Sequence, residues 1–169
     1  MARNRFRGSE EVKVDAKGRV SIPAKFRRVF ESCDSDWEAG KRPQLVIVFG
    51  TRDWKHLQLY TMQAMGEIDE QISQLPRGSA ERNLLENIYY GHAEETEIDN
   101  DGRLVLPQKL RDKIGLTDSA FFISAGESLK VWSPENYEAQ ESALEDLVPN
   151  FEPGADPLSL LATAQKAEG

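Results

Sequence analysis

The sequence predicts an α+β protein, mostly β, in which two similar units interlock as a pseudo-twofold β-barrel, with a helical hairpin between them and a helix after the second. Three observations predict it: an internal repeat of strand, turn, strand and short helix, a helical stripe separating the copies, and a length of 169 residues that suits one shared core. The copies run from Val12 to Phe30 and from Thr96 to Ile114, at an offset of 84 residues. Asp15/Asp99, Gly18/Gly102, Arg19/Arg103, Pro23/Pro107, Lys25/Lys109 and Arg27/Arg111 are identical across them. Val14/Ile98, Val20/Leu104, Ile22/Leu106, Phe26/Leu110 and Phe30/Ile114 keep their apolar type.

Each copy opens on an alternating strand, through Val12 and Val14 or Thr96 and Ile98. A turn follows whose Lys17-Gly18 or Asp101-Gly102 supplies the positive φ that a tight reversal needs. The chain returns through Val20 and Ile22, or Leu104 and Leu106, as a second strand of the hairpin. Pro23 and Pro107 then fit the first turn of a short helix, with Phe26, Val29 and Phe30, or Leu110 and Ile114, on its apolar face and Gly115 as a stop for the second. A further strand pair closes each unit: Leu45 to Phe49 with Leu57 to Tyr60, and Phe121 to Ile123 with Leu129 to Trp132. This pair recurs at an offset of only 72, so the first copy carries about twelve extra residues, placed in the polar loop Glu31 to Pro43. One unit alone buries little apolar surface, which is why the two are expected to share a core.

Between the copies, Met62, Met65, Ile68, Ile72 and Leu75 recur at helical spacing, and after Pro76-Arg77-Gly78 a second helix carries Leu84, Leu85 and Ile88. Such a Met-containing stripe reads as helix packing or a subunit contact rather than a cofactor box. After the second copy, Ser133-Pro134 starts a helix on which Tyr137, Leu144 and Leu147 share a face. The expected organisation is a first repeat over 9–62, a helical connector over 63–90, a second repeat over 91–134, a C-terminal helix over 135–148 and a flexible acidic tail over 149–169.

Composition excludes several classes. With 39% hydrophobic and 30% charged residues, the chain is neither disordered throughout nor membrane-embedded. A single cysteine, Cys33, forms no internal disulfide and anchors no multi-thiolate metal site. Arg3, Arg5 and Arg7 precede no apolar stretch, so no secretory leader is expected and a cytoplasmic home is the default. There is no GxGxxG opening a helix, no P-loop, no HExxH and no GxSxG, and of the two histidines His92 has only weak metal spacing with Glu95. No enzyme, no cofactor and no metal site are expected.

The net charge of −8 conceals a segregation. Residues 1–30 carry nine basic side chains against three acidic ones, so that the remainder is at −14. A basic region on an acidic protein is the electrostatic footprint of a polyanion site, although a solvated face that keeps the protein soluble has the same composition. Within it, Arg19 follows the turn glycine and Asp15 precedes it, as Arg103 and Asp99 do in the second copy. A guanidinium matches guanine O6 and N7 bidentately and also pairs with phosphate, and a neighbouring carboxylate can orient it. The same pair can equally brace the turn and touch no ligand. Lys13, Lys17, Arg27 and Arg28 add candidate phosphate contacts in the first copy, where the second has Glu97, Asp101, Arg111 and Asp112. Arg3, Arg5 and Arg7 are a candidate basic arm.

The segments Phe6-Arg-Gly-Ser9, Asp15-Ala-Lys-Gly-Arg-Val-Ser-Ile-Pro-Ala-Lys-Phe-Arg27 and Asp99-Asn-Asp-Gly-Arg-Leu-Val-Leu-Pro107 together resemble the MraZ family. Either half alone resembles only the wider SpoVT-AbrB, or swapped-hairpin, superfamily. The tandem arrangement is the specific part, and the likeness runs from about Phe6 to Tyr137. The resemblance implies a bacterial transcriptional regulator that binds short direct repeats in double-stranded DNA upstream of its own cell-division and cell-wall gene cluster, repressing it. It implies a ring-like homo-oligomer associated with the nucleoid. It places the DNA-facing surface at Asp15, Arg19, Asp99 and Arg103, and carries the superfamily's basic positions to Lys13, Arg27 and Arg28. The loop Glu31 to Pro43 and the tail beyond Leu147 depart from shorter members. An oligomeric interaction scaffold without sequence-specific DNA binding is the alternative.

Overall fold

The computed structural model describes residues 4–162. Eight strands and five α-helices follow in the order β1 (Ser9–Lys13), β2 (Arg19–Ser21), α1 (Ala24–Ser32), β3 (Gln44–Val48), β4 (His56–Thr61), α2 (Met62–Ser73), α3 (Ala80–Glu86), β5 (Ala93–Glu97), β6 (Arg103–Val105), α4 (Gln108–Ile114), β7 (Ser119–Ser124), β8 (Ser128–Trp132) and α5 (Pro134–Glu141). Six strands form one antiparallel sheet in the order β1-β7-β8-β4-β3-β5, and β2 pairs with β6 in a second, two-stranded sheet. Exchanging β1 with β5, β3 with β7 and β4 with β8 reproduces the six-strand order in reverse, so the internal repeat is a structural pseudo-twofold. Its axis runs between β4 and β8 and through the β2–β6 pair.

The partners are swapped. The first strand of each copy pairs along its length with the third strand of the other, β1 with β7 and β5 with β3. The expected hairpin between β1 and β2 survives only as a bridge between Val14 and Val20 and a hydrogen bond from the Asp15 amide to the Arg19 carbonyl at 3.0 Å. Three-residue strands have few ladder bonds to offer, and the reciprocal exchange gives each edge strand a ladder of five residue pairs instead.

One core serves both copies, as the small size of each requires. Val20, Ile22, Phe26 and Phe30 meet Leu104, Leu106, Leu110 and Ile114 over the inner face of the large sheet, where Leu45, Ile47, Leu57, Leu59, Phe122, Leu129 and Val131 are buried. Fully burying each such side chain contributes about 1.5–3 kcal/mol. The continuous apolar run of β3 has its cause on the other face, where Val46 and Val48 pack with Met65, Ile88 and Met62. The Met-containing stripe is therefore helix packing. Pro23 and Pro107 stand one residue earlier than expected, as the N-caps of α1 and α4; the Pro23 carbonyl accepts from the amides of Phe26 and Arg27.

The insertion after α1 is braced by a buried carboxylate. Asp34 accepts from the Gln44 amide at 2.9 Å and the Asp36 amide at 3.1 Å, and the Trp37 indole donates to the Lys41 carbonyl at 2.7 Å. After α3, residues 87–91 continue as a π-helical turn.

Residues up to Tyr137 make one compact unit and those from Glu138 another. The predicted helical face through Leu144 and Leu147 does not form: α5 ends at Glu141, a single 3-10 turn follows at Glu145–Leu147, and both leucines are exposed. Glu138, Glu141 and Glu145 would stack on one face of a continued helix, where like charges repel. Residues 159–162 are helical.

Candidate nucleic-acid interface

The two predicted turns are built alike. Oδ1 of Asp15 accepts from the backbone N–H groups of Lys17 at 2.9 Å and Arg19 at 2.8 Å; Oδ1 of Asp99 accepts from those of Asp101 and Arg103, both at 2.9 Å. An aspartate spanning two amides in this way replaces a backbone turn with a side-chain one. Gly18 and Gly102 complete the reversals at φ of 81° and 78°. The Arg19 amide donated to Asp15, and the Arg103 amide to Asp99, hold each carboxyl below the usual carboxylate range, partly offset by desolvation.

The repeats clasp each other at these turns. The carbonyl of Gly18 accepts from the Leu106 amide and that of Gly102 from the Ile22 amide, each at 2.8 Å. Arg111 of α4 lies over Gly18, its Nε donating to the Leu106 carbonyl at 2.8 Å, and Arg27 of α1 lies over Gly102. The space a Cβ would need is filled by the other copy, so glycine is required here for close approach as well as for φ.

The turns lead into β2 and β6, whose register pairs Arg19 with Val105, Val20 with Leu104 and Ser21 with Arg103. Val20 and Leu104 are fully buried, so by the two-residue period Arg19, Ser21, Arg103 and Val105 share the outer face of the ribbon. The arginines occupy one diagonal. Strand spacing and rise put their Cα atoms on the order of 8 Å apart.

Each guanidinium is held differently. Arg19 donates through Nε to Oδ2 of Asp15 at 2.7 Å. Arg103 stands 3.8 Å from Asp99 and instead gives Nη2 to Oδ2 of Asp101 at 3.0 Å, which leaves its buried Nε without a hydrogen bond. Position 101 is the lysine of the first turn replaced by an acid.

Of the other predicted residues, Lys17 is exposed at the tip of the first turn, Arg28 is exposed on α1, and Lys13 is exposed on β1 opposite Ser119. The basic arm is anchored from Phe6 onward: its amide donates to the Gly126 carbonyl at 2.7 Å, and its ring packs on Phe26 and Phe30. Arg5 lies 3.5 Å from Glu127, Arg7 is exposed, and Arg3 is outside the described residues. The sequence reading assigned no role at these turns to Arg111, Ser21 or Val105, which the structure places over or beside them. The repeat alignment held the signal, since Arg111 matches Arg27, and Val105 matches Ser21. His92 is engaged structurally, donating Nδ1–H to the Gly50 carbonyl at 2.9 Å and stacking on Phe49. Among the described residues no group of three His, Cys, Asp or Glu side chains is placed to hold a metal ion, and no helix is long and apolar enough to cross a membrane.

Two tandem repeats, exchanged strand for strand and clasped at arginine-bearing turns, define a tandem swapped-hairpin protein. Residues 5–87 and 89–155 match the family model described as "MraZ protein, putative antitoxin-like". Relatives named transcriptional regulator MraZ are 51% identical in Ruegeria pomeroyi, over 90% of this chain and 94% of the relative, and 50% identical in Ruegeria sp. strain TM1040, over 93% and 95%. A more distant one, from Parvibaculum lavamentivorans, is 35% identical over 88% of each. The chain belongs to the MraZ family.

Proposed function

We propose that this chain is a sequence-specific DNA-binding transcriptional regulator that reads double-stranded DNA with the outer face of the β2–β6 ribbon. The observation that carries this reading is the diagonal pair of arginines, each set beside a turn aspartate and flanked by Arg27 and Arg111 of the clasp. A two-stranded ribbon fits the major groove of B-DNA, which is about 12 Å wide, and arginine is the side chain that most often reads guanine there. Prior placement by a carboxylate lowers the rotamer entropy lost on binding. The relatives' name supports a regulatory role.

The finer reading is that Arg19 and Arg103 contact bases, with Asp15 and Asp99 orienting them, while Lys13, Lys17, Arg27 and Arg28 approach phosphates and Arg3, Arg5 and Arg7 extend the basic surface. The targets are short direct repeats upstream of the chain's own cell-division and cell-wall gene cluster, which it represses as a nucleoid-associated cytoplasmic protein. One ribbon offers few cations and binds weakly alone. Several copies in a ring-like homo-oligomer engage repeated sites at high effective concentration, and head-to-tail rings suit direct repeats as twofold dimers suit palindromes.

Fluorescence anisotropy on a duplex from upstream of the gene, against a scrambled duplex across a salt series, tests the reading. Selective binding with a log-log salt slope of about −0.9 per phosphate neutralised is expected, with at least tenfold loss for Arg19→Ala and for Arg103→Ala. Equal weak binding to both duplexes would overturn it in favour of the interaction scaffold.

A further inference from the structure

The pseudo-twofold of the ribbon is broken at its centre. On the outer face, Arg19 has Val105 as its cross-strand neighbour and Arg103 has Ser21. Ser21 and Val105 are the same position of the two repeats, so the second diagonal of the four-residue face joins a hydroxyl to an isopropyl group. Val105 is 50% exposed. The other strongly exposed large apolar side chains among the described residues, Leu84, Tyr90, Leu144, Leu147, Leu158 and Leu161, all lie outside strands. A single exposed valine is unremarkable by itself. Its place matters here, because it stands between two arginines on a face whose partner, on the reading above, is the edge of DNA bases.

We infer that Val105 is a specificity residue that seats its methyl groups against the C5 methyl of a thymine beside the base read by Arg19, and that Ser21 makes no equivalent demand beside Arg103. This rests on the proposed DNA reading and adds to it a direction. Thymine alone presents a methyl group in the major groove, so an apolar side chain there discriminates it from the other three bases. A serine hydroxyl donates or accepts and serves any base edge. The recognised site is then polar, with thymine required on one side only, and so cannot be a palindrome. A polar site is the kind that recurs as direct repeats.

The test is selection of duplexes from a random library by the full-length chain, by Val105→Ser and by Ser21→Val, followed by anisotropy on the selected duplex with deoxyuridine in place of the candidate thymine. Deoxyuridine keeps the base pair and removes the methyl group alone. Wild-type sites should carry one thymine flanking the guanine-containing centre, and deoxyuridine there should weaken binding about three- to fivefold. Val105→Ser should weaken binding to the thymine duplex by a similar factor and lose the difference between the two duplexes. Ser21→Val should add a thymine preference on the opposite side. Because the modified DNA leaves the protein unchanged, its effect does not depend on how the variants fold. Selection by the wild type with no response to deoxyuridine, or an undiminished response in Val105→Ser, would overturn the inference and leave the DNA reading standing. Failure of the wild type to select any sequence would overturn both.

Discussion

The first and second turns share a frame and differ in what they display. In both, one aspartate oxygen spans two backbone amides at 2.8–2.9 Å, and a glycine at positive φ closes the reversal under an arginine from the other repeat. The second aspartate oxygen binds Arg19 tightly in one turn, whereas in the other Arg103 is drawn towards Asp101. Turn geometry and guanidinium placement are therefore separable. Backbone hydrogen bonds set the first, and the charge at position 17 or 101 biases the second.

The largest expected effects concern the frame. A Cβ on Gly18 would lie 2.6 Å from the Leu106 carbonyl, which is backbone and cannot yield, while a Cβ on Gly102 would meet the guanidinium end of Arg27, which can swing aside. Both alanines also incur the left-handed penalty. Gly18→Ala should thus cost about 3 kcal/mol and Gly102→Ala about 1–2 kcal/mol in urea denaturation. Equal losses would show that the clasp is as rigid over one turn as over the other.

A smaller effect tests the display. Asp101→Lys should release Arg103 and add a cation, tightening DNA binding about three- to tenfold at low salt and steepening the salt slope by about one phosphate contact. Lys17→Asp should do the reverse in the first turn. If neither changes affinity, the residues at the turn tips do not face the nucleic acid.

The smallest effect lies at the central β4–β8 ladder, where the copies also diverge. His56 is paired with Trp132 and stacks between it and Trp54, whereas the twofold-related pair is Ser128 with Tyr60. Burial, with Lys130 and Lys113 adding to it, lowers the His56 pKa to about 4. An unfolded histidine titrates near about 6.5, so protonation favours unfolding: the stabilisation is complete above that value and is lost as pH falls towards 4. Melting temperature should decline through this window, and His56→Phe, which keeps the stack, should flatten the decline.

Both turns, the short helices and the helical connector were legible from residue type and spacing, because glycine, proline and periodic apolar residues act locally. Interlocking of the copies was expected from their small size and from the swapped-hairpin resemblance, but the particular strand partners were not legible. The pattern of Val12 and Val14 is satisfied by any neighbouring strand, and only the shared core decides that β1 joins β7. The packing of Arg27 over Gly102 was not foreseen either, because it depends on that exchange. The role of Phe6 was hidden for a related reason, since one aromatic residue among arginines has no period. Asp15 and Arg19 could be paired from sequence; the looser hold on Arg103 depends on where the Asp101 carboxylate sits.

The reciprocal clasp bears on how such a molecule can change. Two separate chains, each with one repeat, could form the same exchange, but any mutation in them would appear twice, once at each turn. With both repeats on one polypeptide, each substitution is inherited singly. A lysine can then stand at one tip and an aspartate at the other, and a serine and a valine can occupy what symmetry would have made one site.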